Sequence, residues 1–156
     1  SVQGAEAADR PPASPVDGPS AADDDAGDEE GAAAFMSLDE FAQLQDQEEL
    51  IASLDEVPNT NRVYKHVFEL IVGRIVEGKD AERNSSLAAI HALALKSKLK
   101  AEDVADALGN TIEFLSDICI DSPMAVEHVS YLLLISYELF YSLRLQSSFQ
   151  CVWSLK

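Results

Sequence analysis

Val63-Tyr64-Lys65-His66-Val67-Phe68-Glu69-Leu70-Ile71-Val72-Gly73-Arg74-Ile75 is the stretch on which the fold turns. Val63, Val67, Leu70, Ile71 and Ile75 recur at spacings of three and four, the period of one helix face. The same period continues in both directions. Downstream, Gly78 is a natural stop and Asp80 a candidate cap for the next helix. A third segment, roughly Ala81 to Lys96, carries Leu87, Ile90, Ala94 and Leu95 on one side, with Lys96, Lys98 and Lys100 where cations suit a helix C-terminus. A fourth, roughly Ala101 to Ser116, carries Val104, Leu108, Ile112 and Leu115; Gly109 inside it predicts close helix packing. A fifth is expected to begin at Pro123, with Ser122 as its cap and proline at the first helical position, and to run through Val126, Val129, Leu132 and Leu133.

Upstream, Ser37 and Glu40 have the spacing of a capping box. Leu38, Phe41 and Leu44, then Leu50, Ile51 and Leu54, form the apolar face. Asp46-Gln47-Glu48-Glu49 interrupts it, leaving one helix or two, and Val57-Pro58-Asn59 ends it. No segment sustains the alternation of a strand. The expectation is an all-α fold of helices about 12 to 17 residues long with short connections, stacked as antiparallel pairs in the manner of a helical-repeat domain.

Residues 1–34 are different. Ala, Gly, Pro, Ser and acidic residues dominate, with Asp23-Asp24-Asp25 and Glu29-Glu30 as an acidic run. Such a segment buries too little apolar surface to offset its conformational entropy, so a disordered tail is expected over 1–34 and a helical domain over 35–156. Of 156 residues, 47% are hydrophobic, enough for a core, and the net charge is −17. That charge disfavours contact with nucleic-acid phosphates or an anionic membrane, and suits a basic protein partner. Cys119 and Cys151 make no disulfide framework, so a reducing, cytoplasmic setting is expected. No signal peptide is recognisable, and a start at Ser1 predicts a fragment of something longer. The most apolar stretch, Val129 to Leu145, includes Glu138 and Arg144 and reads as a core helix rather than a membrane span.

Chemical motifs are scarce. There is no glycine-rich phosphate loop, zinc-type Cys/His spacing or nucleophile elbow. His66, His91 and His128 fall on three different helices and read as surface or boundary residues. No cofactor, metal or small-molecule substrate is implied, and the chain is read as a non-enzyme. The stretch that stands out is Asp117-Ile118-Cys119-Ile120-Asp121-Ser122-Pro123, where two carboxylates four residues apart meet a proline between helical segments. Exposed together, they would present a grip for a basic partner. The plainer alternatives are that Asp121 favours the next helix's N-terminus while Asp117 is solvated, or that the two are an acid/base pair. Between carboxylates a Cys119 thiolate is disfavoured.

Three features resemble the MA-3 domain, the helical-repeat domain of initiation factor 4 gamma scaffolds and of the translational repressor programmed cell death protein four. The opening Leu38-Asp39-Glu40-Phe41-Ala42-Gln43-Leu44-Gln45-Asp46 is similar to the family's first helix, although Glu48-Glu49-Leu50-Ile51 stands where Glu-Ala is usual. The stripe from Val67 to Ile75, followed by Asp80 to Arg83 and a leucine-rich helix, is the second. Phe114-Leu115-Ser116-Asp117-Ile118-Cys119-Ile120-Asp121-Ser122-Pro123-Met124-Ala125 is the third and most specific: an acidic residue four before an Asp that is two before a proline. The resemblance covers about residues 37–134.

It implies a protein-binding module of translation initiation that docks the DEAD-box RNA helicase initiation factor 4A. Asp117 and Asp121 are the implied contacts and Pro123 shapes the junction; any mRNA contact is indirect, through the complex. The parent would be an initiation factor 4 gamma scaffold, with a repressor that sequesters the same helicase, or a generic helical-repeat scaffold, as alternatives. After about Leu134 the sequence departs from the family, and the later helices are missing. That predicts an incomplete or alternative C-terminus and an exposed apolar face.

Overall fold

A computed structural model of the chain describes residues 22–153, so the part of the expected tail over 1–21 lies outside the described residues. The described residues form seven helices and no strand: α1 (Ala22–Leu44), α2 (Gln47–Asp55), α3 (Thr60–Glu77), α4 (Asp80–Leu95), α5 (Ala101–Glu113), α6 (Leu115–Asp121) and α7 (Ala125–Trp153). The all-helical expectation is borne out. α3 is its centre. Val63, Val67, Ile71 and Ile75 are buried, and so are Tyr64, Phe68, Val72 and Val76 on the adjoining side. Burial of two adjoining stripes needs neighbours on both: α1, α2, α4, α5 and α7 all pack on α3. Each fully buried Val, Ile or Phe contributes about 1.5–3 kcal/mol, which places much of the fold's stability on this helix. Contacts radiate from α3 and reach α7, four helices on, instead of passing only from one pair to the next.

The connections follow local chemistry. Asp46 separates α1 from α2: its Oδ1 accepts the backbone N–H groups of Glu48 and Glu49 at 3.0 and 3.2 Å, a true N-cap. Asn59 turns the chain into α3 in the left-handed region, φ 59°, which Asn tolerates better than most residues. At Gly78 the chain leaves α3 for extended backbone (φ −79°, ψ 173°), and the position takes no side chain, since a Cβ there would collide with the Arg74 carbonyl oxygen. The cap of α4 is formed by Glu82, whose Oε2 accepts Lys79 N–H at 3.0 Å. Asp80, the expected cap, is the first residue of α4 and pairs instead with Arg83 at 2.6 Å.

Several expectations are corrected. Helix α1 begins at Ala22, so residues 22–34 belong to a helix and not to a disordered tail. Alanine has the best helix propensity, Ala34 is fully buried, and Glu30 finds partners in Asn59, Arg62 and His66 at the start of α3. Ser37 therefore sits inside α1 and caps nothing; its Oγ accepts a hydrogen bond from Ser53 Oγ on α2 at 3.1 Å. Leu44, Leu95 and Ile112, read as core, are exposed because the core takes Leu38, Phe41, Ile90, Leu93, Val104 and Leu108 instead. At Gly109 a Cβ would meet nothing within 4 Å, so no helix approaches it closely. Between Val129 and Tyr141 the helix buries one face only: Val129, Leu132, Ile135 and Ser136 point inward while Leu133, Leu134, Tyr137 and Tyr141 are exposed.

Candidate functional site

The acidic stretch is itself a helix. α5 ends at Phe114, whose backbone (φ −97°, ψ 9°) bends the chain slightly and lets α6 restart at once. Phe114 N–H donates to the Asn110 carbonyl at 3.3 Å, and its own carbonyl accepts from Asp117 and Ile118 at 3.0 and 3.1 Å. The expectation that Asp117 and Asp121 lie in a junction between two helices is corrected: both belong to α6. They are i and i+4 on one short helix, which places their side chains on one face about 5–6 Å apart at Cβ. Leu115, Ile118 and Cys119 turn toward the core and hold α6 against α5 and α7. Helical period then leaves both carboxylates outward, and both are exposed.

Neither carboxylate has a hydrogen bond or ion pair among the described residues, in contrast to Asp39, Asp55 and Asp80. Like charges at i and i+4 repel by a few tenths of a kcal/mol, and Asp121 stands at the C-terminal end of α6, where a negative charge opposes the helix dipole. An Asp at position 121 thus costs α6 a little stability. Pro123 does not start α7. It lies, exposed, in the turn after α6; Ala125 N–H donates to the Ser122 carbonyl at 2.9 Å, and α7 begins at Ala125. The proline still serves as a fixed corner, since it has no N–H to bond and a locked φ. The sequence reading missed the apolar rim. Ile120, 78% exposed, and Phe114, 56% exposed, flank the two carboxylates. Their signal was the inward set Leu115, Ile118 and Cys119, which at helical period forces Ile120 outward.

Several polar groups elsewhere are paired. Glu30, almost fully buried, accepts Asn59 Nδ2 at 3.1 Å through Oε1; Oε2 lies 3.3 Å from Arg62 Nε and 3.8 Å from His66 Nε2, without a hydrogen bond. His66 Nδ1 is 3.5 Å from Glu69. Asp55 takes Lys98 Nζ at 2.9 Å and Tyr64 Oη at 2.8 Å. The Lys98 bond lowers the Asp55 pKa, and burial, with the Asp55 hydrogen bond, raises that of Tyr64. A cleft of about 460 Å³ opens beside Glu29, Glu56 and Asn59, and another of about 610 Å³ beside Phe35, Met36 and Gln43. Asp117 and Asp121 line neither. Among the described residues no three His, Cys, Asp or Glu side chains are placed to hold a metal ion, and no helix is long and apolar enough to cross a membrane. Comparison with protein-family profiles, with curated proteins and with solved structures gave no match.

Proposed function

We propose that this chain is a protein-binding module of translation initiation, cytoplasmic, that docks a DEAD-box RNA helicase, initiation factor 4A, through Asp117 and Asp121, as part of a scaffold of the initiation factor 4 gamma type. One observation carries the reading: two exposed carboxylates without partners sit on one face of a short helix that is packed against α5 and α7. Carboxylates so placed can each receive a bidentate arginine. The apolar rim of Phe114 and Ile120 would exclude water around those bonds. The net charge of −17 would steer a basic surface toward them. The motif Asp117 to Pro123 and its resemblance to the MA-3 signature supply the identity of the partner.

Calorimetric titration of the helicase into the wild type, Asp117→Ala and Asp121→Ala tests the reading. Each substitution is expected to weaken binding by about tenfold or more, 1.4 kcal/mol per tenfold. Ile120→Ser should weaken it by less. Unchanged affinity in both aspartate variants at low salt would remove the contact.

A further inference from the structure

We propose that His66 is a proton switch: it fastens residues 27–34 of α1 to α3 when its imidazole is protonated and loosens them when it is neutral. The device shares no residue with α6 and goes beyond the reading given to that helix. His66 stands between two carboxylates. Its Nε2 lies 3.8 Å from Glu30 Oε2 on α1, and its Nδ1 lies 3.5 Å from Glu69 Oε2, one turn further along α3. Glu69 is partly exposed and can turn to water. Glu30 cannot: its side chain is 4% exposed, and Oε2 is buried without a hydrogen bond. A buried carboxylate oxygen without a donor is costly, which makes Glu30 the weak point of this contact. Ala34, Leu38 and Phe41 hold the later part of α1 on the core by apolar packing, whereas over residues 27–33 the buried side chain is Glu30. A helix end with one buried anchor, and that one charged, is the part that opens first. When it lifts, Glu30 leaves the wall of the cleft it lines with Ser53, Glu56 and Asn59.

A neutral imidazole carries one N–H. If Nδ1 donates to Glu69, Nε2 turns a lone pair toward Glu30; if Nε2 donates to Glu30, Nδ1 turns one toward Glu69. The imidazolium has an N–H on each nitrogen and a positive charge, so it alone serves both carboxylates. Histidine is the side chain that ordinarily changes charge between about pH 5 and 8. The surrounding charges make the switch graded. Arg62 Nε lies 3.3 Å from the same Oε2 and is cationic throughout, so part of the tie persists when His66 is neutral. Its charge opposes a proton on His66, and the two carboxylates offset that. Asn59 Nδ2 holds Glu30 Oε1 at 3.1 Å in either state. Elsewhere around α3 the charges have other partners: Lys65 lies 3.9 Å from Asp106 of α5, and Asp55 of α2 binds Lys98 and Tyr64.

Native-state hydrogen exchange of the full chain, at about pH 5.5 and about pH 7.5 on either side of the imidazole range, is the test. Rates are corrected for the intrinsic pH dependence of amide exchange. Protection over residues 27–34 is expected to be about twofold to fivefold greater at the lower pH, the span of a partly exposed ion pair, with residues 86–94 of α4 unchanged. His66→Gln should show the weaker protection at both pH values. His66→Arg, whose cation does not titrate, should show the stronger protection at both. Circular dichroism verifies that each variant keeps its helix content. Equal protection of residues 27–34 at the two pH values in the wild type overturns the proposal. So does a difference that survives in His66→Gln or in His66→Arg, and so does an equal change over residues 86–94, which would make the effect global.

Discussion

Arg83 does more for the fold than its place in the sequence suggests. Its guanidinium donates to the Ile75 carbonyl at 3.0 Å, the Gly78 carbonyl at 2.9 Å and Asp80 at 2.6 Å, so it satisfies the open end of α3 from the first turn of α4. Arg83→Ala is expected to cost about 1–2 kcal/mol, because two backbone acceptors lose their partner. Arg83→Lys should recover only part of it, since an ammonium cannot fork; the urea midpoint reads both. Glu30 plays the matching part for α1. Removing it in Glu30→Ala frees Asn59, Arg62 and His66, and faster amide exchange over residues 27–34 is the expected outcome. Neither role was legible in the sequence. Arg83 reads as one more charge beside a turn, and Glu30 as part of an acidic run, because their partners are fixed by how the helices pack. Asp117 and Asp121 could be read as a pair from spacing alone, although their common face could not: that needed the start of α6 at Leu115.

Element boundaries show where local chemistry is sufficient. The α3 stripe, the stop at Gly78 and the break at Asp46 follow from residue type, and the structure places them within a residue or two of where they read. The start of α1 does not, since alanine-rich acidic sequence serves equally as solvated coil and as helix until Glu30 and Ala34 find a buried position. The inner and outer faces of α7 were equally illegible, because both are apolar and only packing on α3, α5 and α6 distinguishes them. Two glycines separate the possible reasons for a glycine in or beside a helix. Gly109 is exposed with open space around it, so Gly109→Ala should stabilise α5 by about 0.5–1 kcal/mol, measured as a rise in Tm. Gly78→Ala should destabilise, since its new methyl meets the Arg74 carbonyl.

At the scale of the whole molecule, Asp55 on α2, Tyr64 on α3 and Lys98 after α4 form one polar clasp across three segments. The lowered pKa of Asp55 contributes stability above the ordinary carboxylate range, near 3.9, that is lost as pH falls through the lowered folded value. The raised pKa of Tyr64 contributes stability that is complete below about pH 10 and is lost as the solution becomes more alkaline. Asp55→Asn should flatten the acid limb of a plot of urea midpoint against pH. Because Asp55 is partly exposed, its cost at neutral pH should stay below about 1 kcal/mol. The same charge distribution bears on the proposed docking: a strongly acidic chain holds two carboxylates in the open on α6, and the attraction proposed between them and a basic partner should be screened by salt. The most direct measurement is the association rate of the helicase with the wild type and with Asp117→Asn/Asp121→Asn, at low and at physiological salt. The account predicts a fast, salt-sensitive wild-type rate and a variant that is slower and less salt-sensitive, with its circular dichroism unchanged. Equal rates for the two proteins at both salt concentrations would contradict it.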